Sequence, residues 1–164
     1  MYIFIEFLGF LLDISFREHQ MITVLVGMPG SGKSTFAKII PNSNVINQDI
    51  IGNRHKCIKK TKDLLKENKS VIIDRCNINK KQRSYWINIA KEFKVETIIC
   101  VEFCINSELA IERIKNRKNH PTIKEDFSLE KINEIIEMYE REYEKPDISE
   151  GFDYIITTNI NKPG

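Results

Sequence analysis

Between Gly27 and Phe36 the chain reads GMPGSGKSTF, in which Gly27, Gly32, Lys33 and Ser34 satisfy the spacing G-x-x-x-x-G-K-[ST]. Such a loop can do one kind of chemistry well. Glycines let the backbone turn tightly, so that successive N–H groups point inward at phosphate oxygens, and a helix opening at Lys33 adds the positive end of its dipole. In that arrangement Lys33 reaches the β- and γ-phosphates of a nucleotide and the Ser34 hydroxyl meets Mg²⁺. The rest of the loop, Pro29, Gly30, Ser31 and Thr35, belongs to the same expected contact surface for ATP.

Two further acids stand where catalysis is to be expected. Asp49 closes the run NVINQD and Asp74 closes SVIID, both strand-like, and parallel sheets place their ligands at the carboxyl ends of strands. Asp74 suits a carboxylate that reaches Mg²⁺ directly or through water, with a capping or loop-bracing role as the alternative. Arg75 follows it where water-activating ATPases often carry a second carboxylate, which favours transfer to an organic acceptor over hydrolysis. Asp49 suits a base that accepts the proton of an attacking hydroxyl, and a helix N-cap is its alternative. In LAIERIKNRKNHPT, Arg113 and Arg117 are four apart, the spacing of one helical face, where two guanidinium groups could close over transferring phosphates or simply be solvated. The guanine-specifying pattern [NT]-K-x-D is missing, which argues against a signalling GTPase.

The elements that must position these groups follow from hydrophobic patterning. ITVLV, NVINQD, SVIID, VETIICVEF and FDYIITT read as strands. Between them lie helix-spaced stripes: Cys57, Ile58, Thr61, Leu64 and Leu65; Trp86, Ile89, Ala90 and Phe93; Ala110, Ile111 and Ile114; and, after Ser128 as N-cap, Ile132, Ile135, Ile136, Tyr139 and Tyr143. The pattern predicts an α/β domain, a P-loop NTPase fold with a parallel β-sheet flanked by helices on both faces.

The chain has 164 residues, 41% of them hydrophobic, which suits one domain, and its net charge of +2 is too small to argue for or against nucleic acid as a partner. Cys57, Cys76, Cys100 and Cys104 lack the paired spacing of a zinc site and read as free thiols in a reducing compartment. Residues 1–20 are apolar but interrupted by Glu6 and Asp13, without a basic leader or cleavage site and too short to span a bilayer. They are expected to be a weakly packed or dispensable extension of a kinase domain at 21–164. No membrane association is expected, and cytoplasm and nucleus are both open.

Taken together, VLVGMPGSGKSTF, VINQDIIGNRHKC, VIIDRCNINKKQR, the Arg113/Arg117 pair and MYEREYEKPDISEGF resemble the kinase domain of polynucleotide 5′-hydroxyl kinases, and in particular the kinase part of animal polynucleotide kinase/phosphatase. The likeness runs from about Ile22 to Ile156. It implies ATP and Mg²⁺ as cofactors and transfer of the γ-phosphoryl to 5′-hydroxyl ends of DNA or RNA. It matches Asp49 to the general base, Lys33 and Ser34 to the phosphate and Mg²⁺ contacts, Asp74 with Asn77 to the second acidic element, and Arg117 to the lid arginine. The phage enzyme of the family has an arginine three residues after the base; here Gly52 stands there and Arg54 is the nearest substitute. The DRCN and KKQR run is also similar to the kinase modules of fungal and plant tRNA ligases and of plant aprataxin-like proteins.

Arg54, Lys56, Lys59, Lys60 and Lys62, with Lys80, Lys81 and Arg83, cluster after the two acids and could meet the phosphates of a strand, or be solvated helix faces. Tyr85 could stack a base, while Trp86 falls on an apolar stripe. Two other functions compete with the kinase of nucleic-acid ends: a small-metabolite kinase, and an ATP-dependent module that binds ends without phosphorylating them.

Overall fold

The computed structural model describes residues 19–117 and 128–160, together with Gly9. Strand β1 (Met21–Val26) is buried at every residue, as an apolar run in the middle of a parallel sheet must be. It feeds the glycine-rich loop and helix α1 (Lys33–Ile39). There follow β2 (Asn44–Asn47), the short α2 (Gln48–Ile51), α3 (Arg54–Lys66), β3 (Val71–Asp74), α4 (Lys80–Glu92), β4 (Thr97–Cys104), α5 (Ser107–Asn116), α6 (Leu129–Glu142), a 3-10 turn at Ile148–Glu150 and β5 (Tyr154–Asn159). The five strands pair in the order β2-β3-β1-β4-β5, and every pairing is parallel.

Side chains alternate across a strand, so β1 feeds two cores. Ile22, Val24 and Val26 pack with Cys57 and Leu65 of α3 and Trp86 and Ala90 of α4. Met21 and Leu25 face the other way, onto Phe36 and Ala37 of α1. Helices therefore cover both faces. A third cluster, in which Ala110 and Ile114 of α5 meet Ile132, Ile136 and Tyr139 of α6 together with Met28 and Ile78, closes the carboxyl end of the sheet beside the loop.

Five helices begin with a side-chain cap: Asn47, Asn53, Asn79, Asn106 and Ser128 each accept from a backbone N–H of the first turn. Helix α1 differs. Its N-cap is Gly32 (φ 97°), no side chain caps it, and no acid stands in its first turn. Gly30 (φ 81°) is demanded by packing as well as by conformation, because a Cβ there would lie 2.8 Å from the Ala110 carbonyl oxygen.

Two expectations change. Asp49 does not end a strand: β2 stops at Asn47, and Asp49 sits in the first turn of α2, so it is not the N-cap either. Arg117 is the C-cap of α5 with extended backbone (φ −77°, ψ 111°), which takes it off the helical face that carries Arg113. Gln20, the last residue of the expected extension, is buried, and its side-chain amide donates to Leu65 O (2.8 Å) and Lys69 O (3.2 Å). Residues 1–18, but for Gly9, lie outside the described residues, as does the HPT segment after Arg117. No described helix is long and apolar enough to cross a membrane.

Candidate active site

At the carboxyl ends of β1, β2 and β3 a cleft of about 350 Å³ is lined by Pro29, Gly30, Gly32, Lys33 and Ser34 of the loop, by Asn47, Gln48 and Asp49, by Asp74, Arg75 and Cys76, and by Ile78, Gln82, Arg117 and Ile135. The fold thus brings Lys33, Ser34, Asp49, Asp74, Arg75 and Arg117 together from four separate parts of the sequence. Asp74 is buried at the cleft and Asp49 is exposed at its rim.

Asn47 joins the two acids. Strand register sets it opposite Asp74, and its Nδ2 donates to Asp74 Oδ2 at 2.8 Å. Its Oδ1 meanwhile accepts from the backbone N–H of Asp49 (2.9 Å) and of Ile50 (3.3 Å). One amide therefore orients the floor carboxylate and starts the turn that carries the rim carboxylate. Sequence reading missed this role, although an Asn two residues before an Asp and just after β-branched residues is an Asx-type cap signal.

Lys33 is buried, and its ammonium donates to Gly27 O (2.6 Å), Met28 O (2.8 Å) and Ser31 Oγ (3.3 Å), which holds it inside the loop it is meant to serve. Gly27 N donates to Cys76 O at 3.2 Å and so ties the loop to the end of β3. A second cavity lies on the other side of the loop, lined by Ser31, Thr35, Phe103, Leu109, Arg113, Arg117, Thr158 and Ile160 among others. Arg113 and Thr35 therefore face this cavity and not the cleft, while Arg117 borders both.

Arg75 has its guanidinium 5.8 Å from the centre of the Trp86 ring, and its Nη1 is buried without a partner. Burial pushes its pKa down from the usual arginine value; the Cys57 thiol opposes that shift, and neighbouring Arg54 adds to it. Arg54 does not line the cleft. It lies over the Tyr85 ring, 4.5 Å from the centroid, so Tyr85 stacks a guanidinium of its own chain.

Asn77 is not a cleft residue. It is fully buried in left-handed backbone (φ 47°), its Nδ2 donates to Leu25 O (2.7 Å) and Arg75 O (3.3 Å), and its Oδ1 accepts from Trp86 Nε1 (2.9 Å). Its amide thus braces the turn that presents Asp74 and Arg75. Arg83, expected on a strand-facing basic surface, is also buried. It makes a two-pronged ion pair with Glu150, Nε to Oε2 and Nη2 to Oε1 at 2.8 Å each, and its Nη1 donates to Asn77 O (3.1 Å) and Ile78 O (3.3 Å). Of the other basic residues, Lys62 pairs with Glu92 at 2.8 Å. The EKPDISEGF run is structural: Glu144 accepts from Lys80 N, Asp147 and Glu150 form a capping box, and Glu150 holds Arg83.

The residues suit a nucleotide and its metal ion. An uncapped helix opening behind two positive-φ glycines leaves N–H groups for an anion, and every other helix that begins among the described residues spends its own on a side chain. No group of three His, Cys, Asp or Glu fit to hold a metal occurs among the described residues. Of the side-chain oxygens at the cleft, those of Ser34 and Asp74 suit Mg²⁺, a sparse set of the kind it uses when phosphates supply the remaining ligands.

Fold and site together define a P-loop nucleotide-binding domain of kinase type. The chain belongs to the AAA domain family, whose model matches residues 53–142. It is 37% identical over 139 residues to the bifunctional polynucleotide phosphatase/kinase of Schizosaccharomyces pombe, covering 82% of this chain and 32% of that protein. Against the putative bifunctional polynucleotide phosphatase/kinase of Acanthamoeba polyphaga mimivirus it is 35% identical over 148 residues, covering 88% of this chain and 34% of the relative. The chain thus spans about a third of the length of these relatives. A fungal RNA kinase crystal structure has a similar fold (TM-score 0.68, 17% identity, 89% of this chain and 77% of that one).

Proposed function

We propose that this domain is an ATP- and Mg²⁺-dependent polynucleotide 5′-hydroxyl kinase. The observation that supports the reading most is that one cleft is lined both by the phosphate loop, through Lys33 and Ser34, and by the carboxylate pair Asp49 and Asp74 that Asn47 ties together. The two relatives named for polynucleotide phosphatase/kinase activity support the choice of acceptor over a small metabolite.

In this mechanism the acceptor hydroxyl enters at the rim, where Asp49 takes its proton as the new O–P bond forms and the bond from the γ-phosphorus to the bridging oxygen breaks, releasing ADP. Asp49 is exposed and fixed by its backbone bond to Asn47, which suits a base that must meet an incoming group. Lys33 exchanges its bonds to loop carbonyls for phosphate oxygens. Arg117, at the border of both cavities, offsets the charge that develops on the transferring group. Mg²⁺ would be held by Ser34 and Asp74 and would neutralise phosphate charge. The nucleoside occupies the second cavity, beside Thr35 and Arg113.

The test is transfer of labelled γ-phosphate from Mg·ATP to matched DNA and RNA oligonucleotides with 5′-hydroxyl ends, with Asp49→Asn as control. Label that appears with the native protein and not with the variant supports the reading. ATP binding with no label on either oligonucleotide overturns it, and would turn the question to metabolite acceptors or to end binding without catalysis.

A further inference from the structure

Among the described residues two buried side-chain atoms have no hydrogen-bond partner, Gln48 Oε1 and Arg75 Nη1, and both residues line the active cleft. One is an acceptor and the other a charged donor. The large majority of buried polar atoms are paired, so two unpaired ones in the same cleft call for an explanation, and a ligand that fills the cleft supplies one.

Gln48 is held in place. It is the first residue of α2, a helix fixed at one end by the Asn47 cap and at the other by the bond from Gly52 N to Gln48 O (2.7 Å). Asp49 follows it directly, so on the kinase reading, on which this inference rests, the group that Gln48 meets belongs to the terminal nucleoside whose 5′-hydroxyl Asp49 deprotonates. Phosphate oxygens only accept, and they suit Arg75 Nη1. With its amide oriented as in this structure, Gln48 Oε1 needs a donor. At the end of a DNA strand the sugar has none left once its 5′-oxygen reacts and its 3′-oxygen is esterified. An RNA end offers the 2′-hydroxyl, whatever the base.

We propose that Gln48 Oε1 accepts from the 2′-hydroxyl of the terminal nucleotide, with Arg75 on the phosphate that follows it, and that the acceptor is therefore RNA. A site built to bond a hydroxyl discriminates strongly against the analogue that lacks it, because its own buried atom is left unpaired.

The experiment compares kcat/KM of the native full chain for three RNA oligonucleotides of one sequence: unmodified, 2′-deoxy at the 5′-terminal nucleotide only, and 2′-deoxy at the third nucleotide only. The terminal change is expected to lower kcat/KM by about tenfold or more, and the internal one by no more than about twofold. Gln48→Met should bring the ratio between the first two substrates close to unity, with its thermal melt checking that it is folded. Because the deciding change is in the substrate, an unstable variant leaves the result intact. Equal transfer to all three overturns the inference alone. A preference that follows the identity of the terminal base and not its sugar overturns it too, and assigns Gln48 to a base edge. Transfer to no oligonucleotide overturns the kinase reading and this inference with it.

Discussion

Asn47 shows how much of the site rests on one amide, since it holds the side chain of one carboxylate and the backbone of the other. Asn47→Ala should lower turnover by roughly tenfold or more, because a misplaced base loses the near-attack geometry on which proton transfer depends, while ATP affinity measured by fluorescence titration stays close to native. Asp49→Asn removes the base itself and is expected to cost about a hundredfold or more in kcat with ATP binding retained. Sequence reading singled out both acids because an acid closing an apolar, β-branched run is a short-range signal, even though Asp49 itself lies two residues past the end of β2. It missed Asn47 and misplaced Asn77, since an amide's role is set by what lies across the sheet or under the next helix. The thiols offer a check of burial. Burial pushes Cys100 up to about 12 and raises Cys57, while Cys76 lines the cleft. In the native protein at about pH 8, alkylation followed by peptide mass mapping should leave Cys57 and Cys100 unmodified and label Cys76 faster.

Among the elements, α4 and the 3-10 turn at Ile148–Glu150 are joined by the Arg83–Glu150 pair, and the same guanidinium holds the backbone just after the turn that carries Asp74 and Arg75. Removing one member of a buried pair leaves an uncompensated charge. Arg83→Met is therefore expected to destabilise the fold by about 3–5 kcal/mol, read by denaturant unfolding, and Arg83→Met with Glu150→Met to recover part of that loss. The periodicities that located α3, α4, α5 and α6 were plain in the sequence, since each presents an apolar stripe to one of three clusters. What periodicity does not reveal is a charged residue on such a stripe. Arg83 lies three residues before Trp86 and shares its buried face, and its charge is balanced there by a partner 67 positions away. The loop has its own constraint in the contact of Gly30 with α5. Gly30 is not one of the motif's invariant positions, yet Gly30→Ala should shift the loop and weaken ATP binding, because its φ of 81° and the nearby carbonyl both resist a side chain.

At the scale of the molecule, the α/β alternation, the parallel sheet and helices on both faces follow from strand and helix patterns alone, whereas the strand order does not, because nothing local tells β2 to lie outside β3. Contacts at the domain's edge are equally non-local, since Gln20 is tied to the end of α3 and the residues after it by hydrogen bonds 45 and 49 positions away in sequence. A chain starting at Gln20 is expected to keep the melting temperature and Mg·ATP affinity of the full chain, and one starting at Met21 to melt lower by a few degrees, about the effect of one or two buried hydrogen bonds. The central place of β1 has a consequence for synthesis. Both its neighbours in the sheet, β3 and β4, are translated after it, so the apolar β1 leaves the ribosome with two unpaired edges and keeps one of them until Thr97–Cys104 has emerged. A nascent chain halted before Thr97 exposes that edge to its neighbours on the polysome, where chaperone holding, and not the finished fold, must keep it from aggregating.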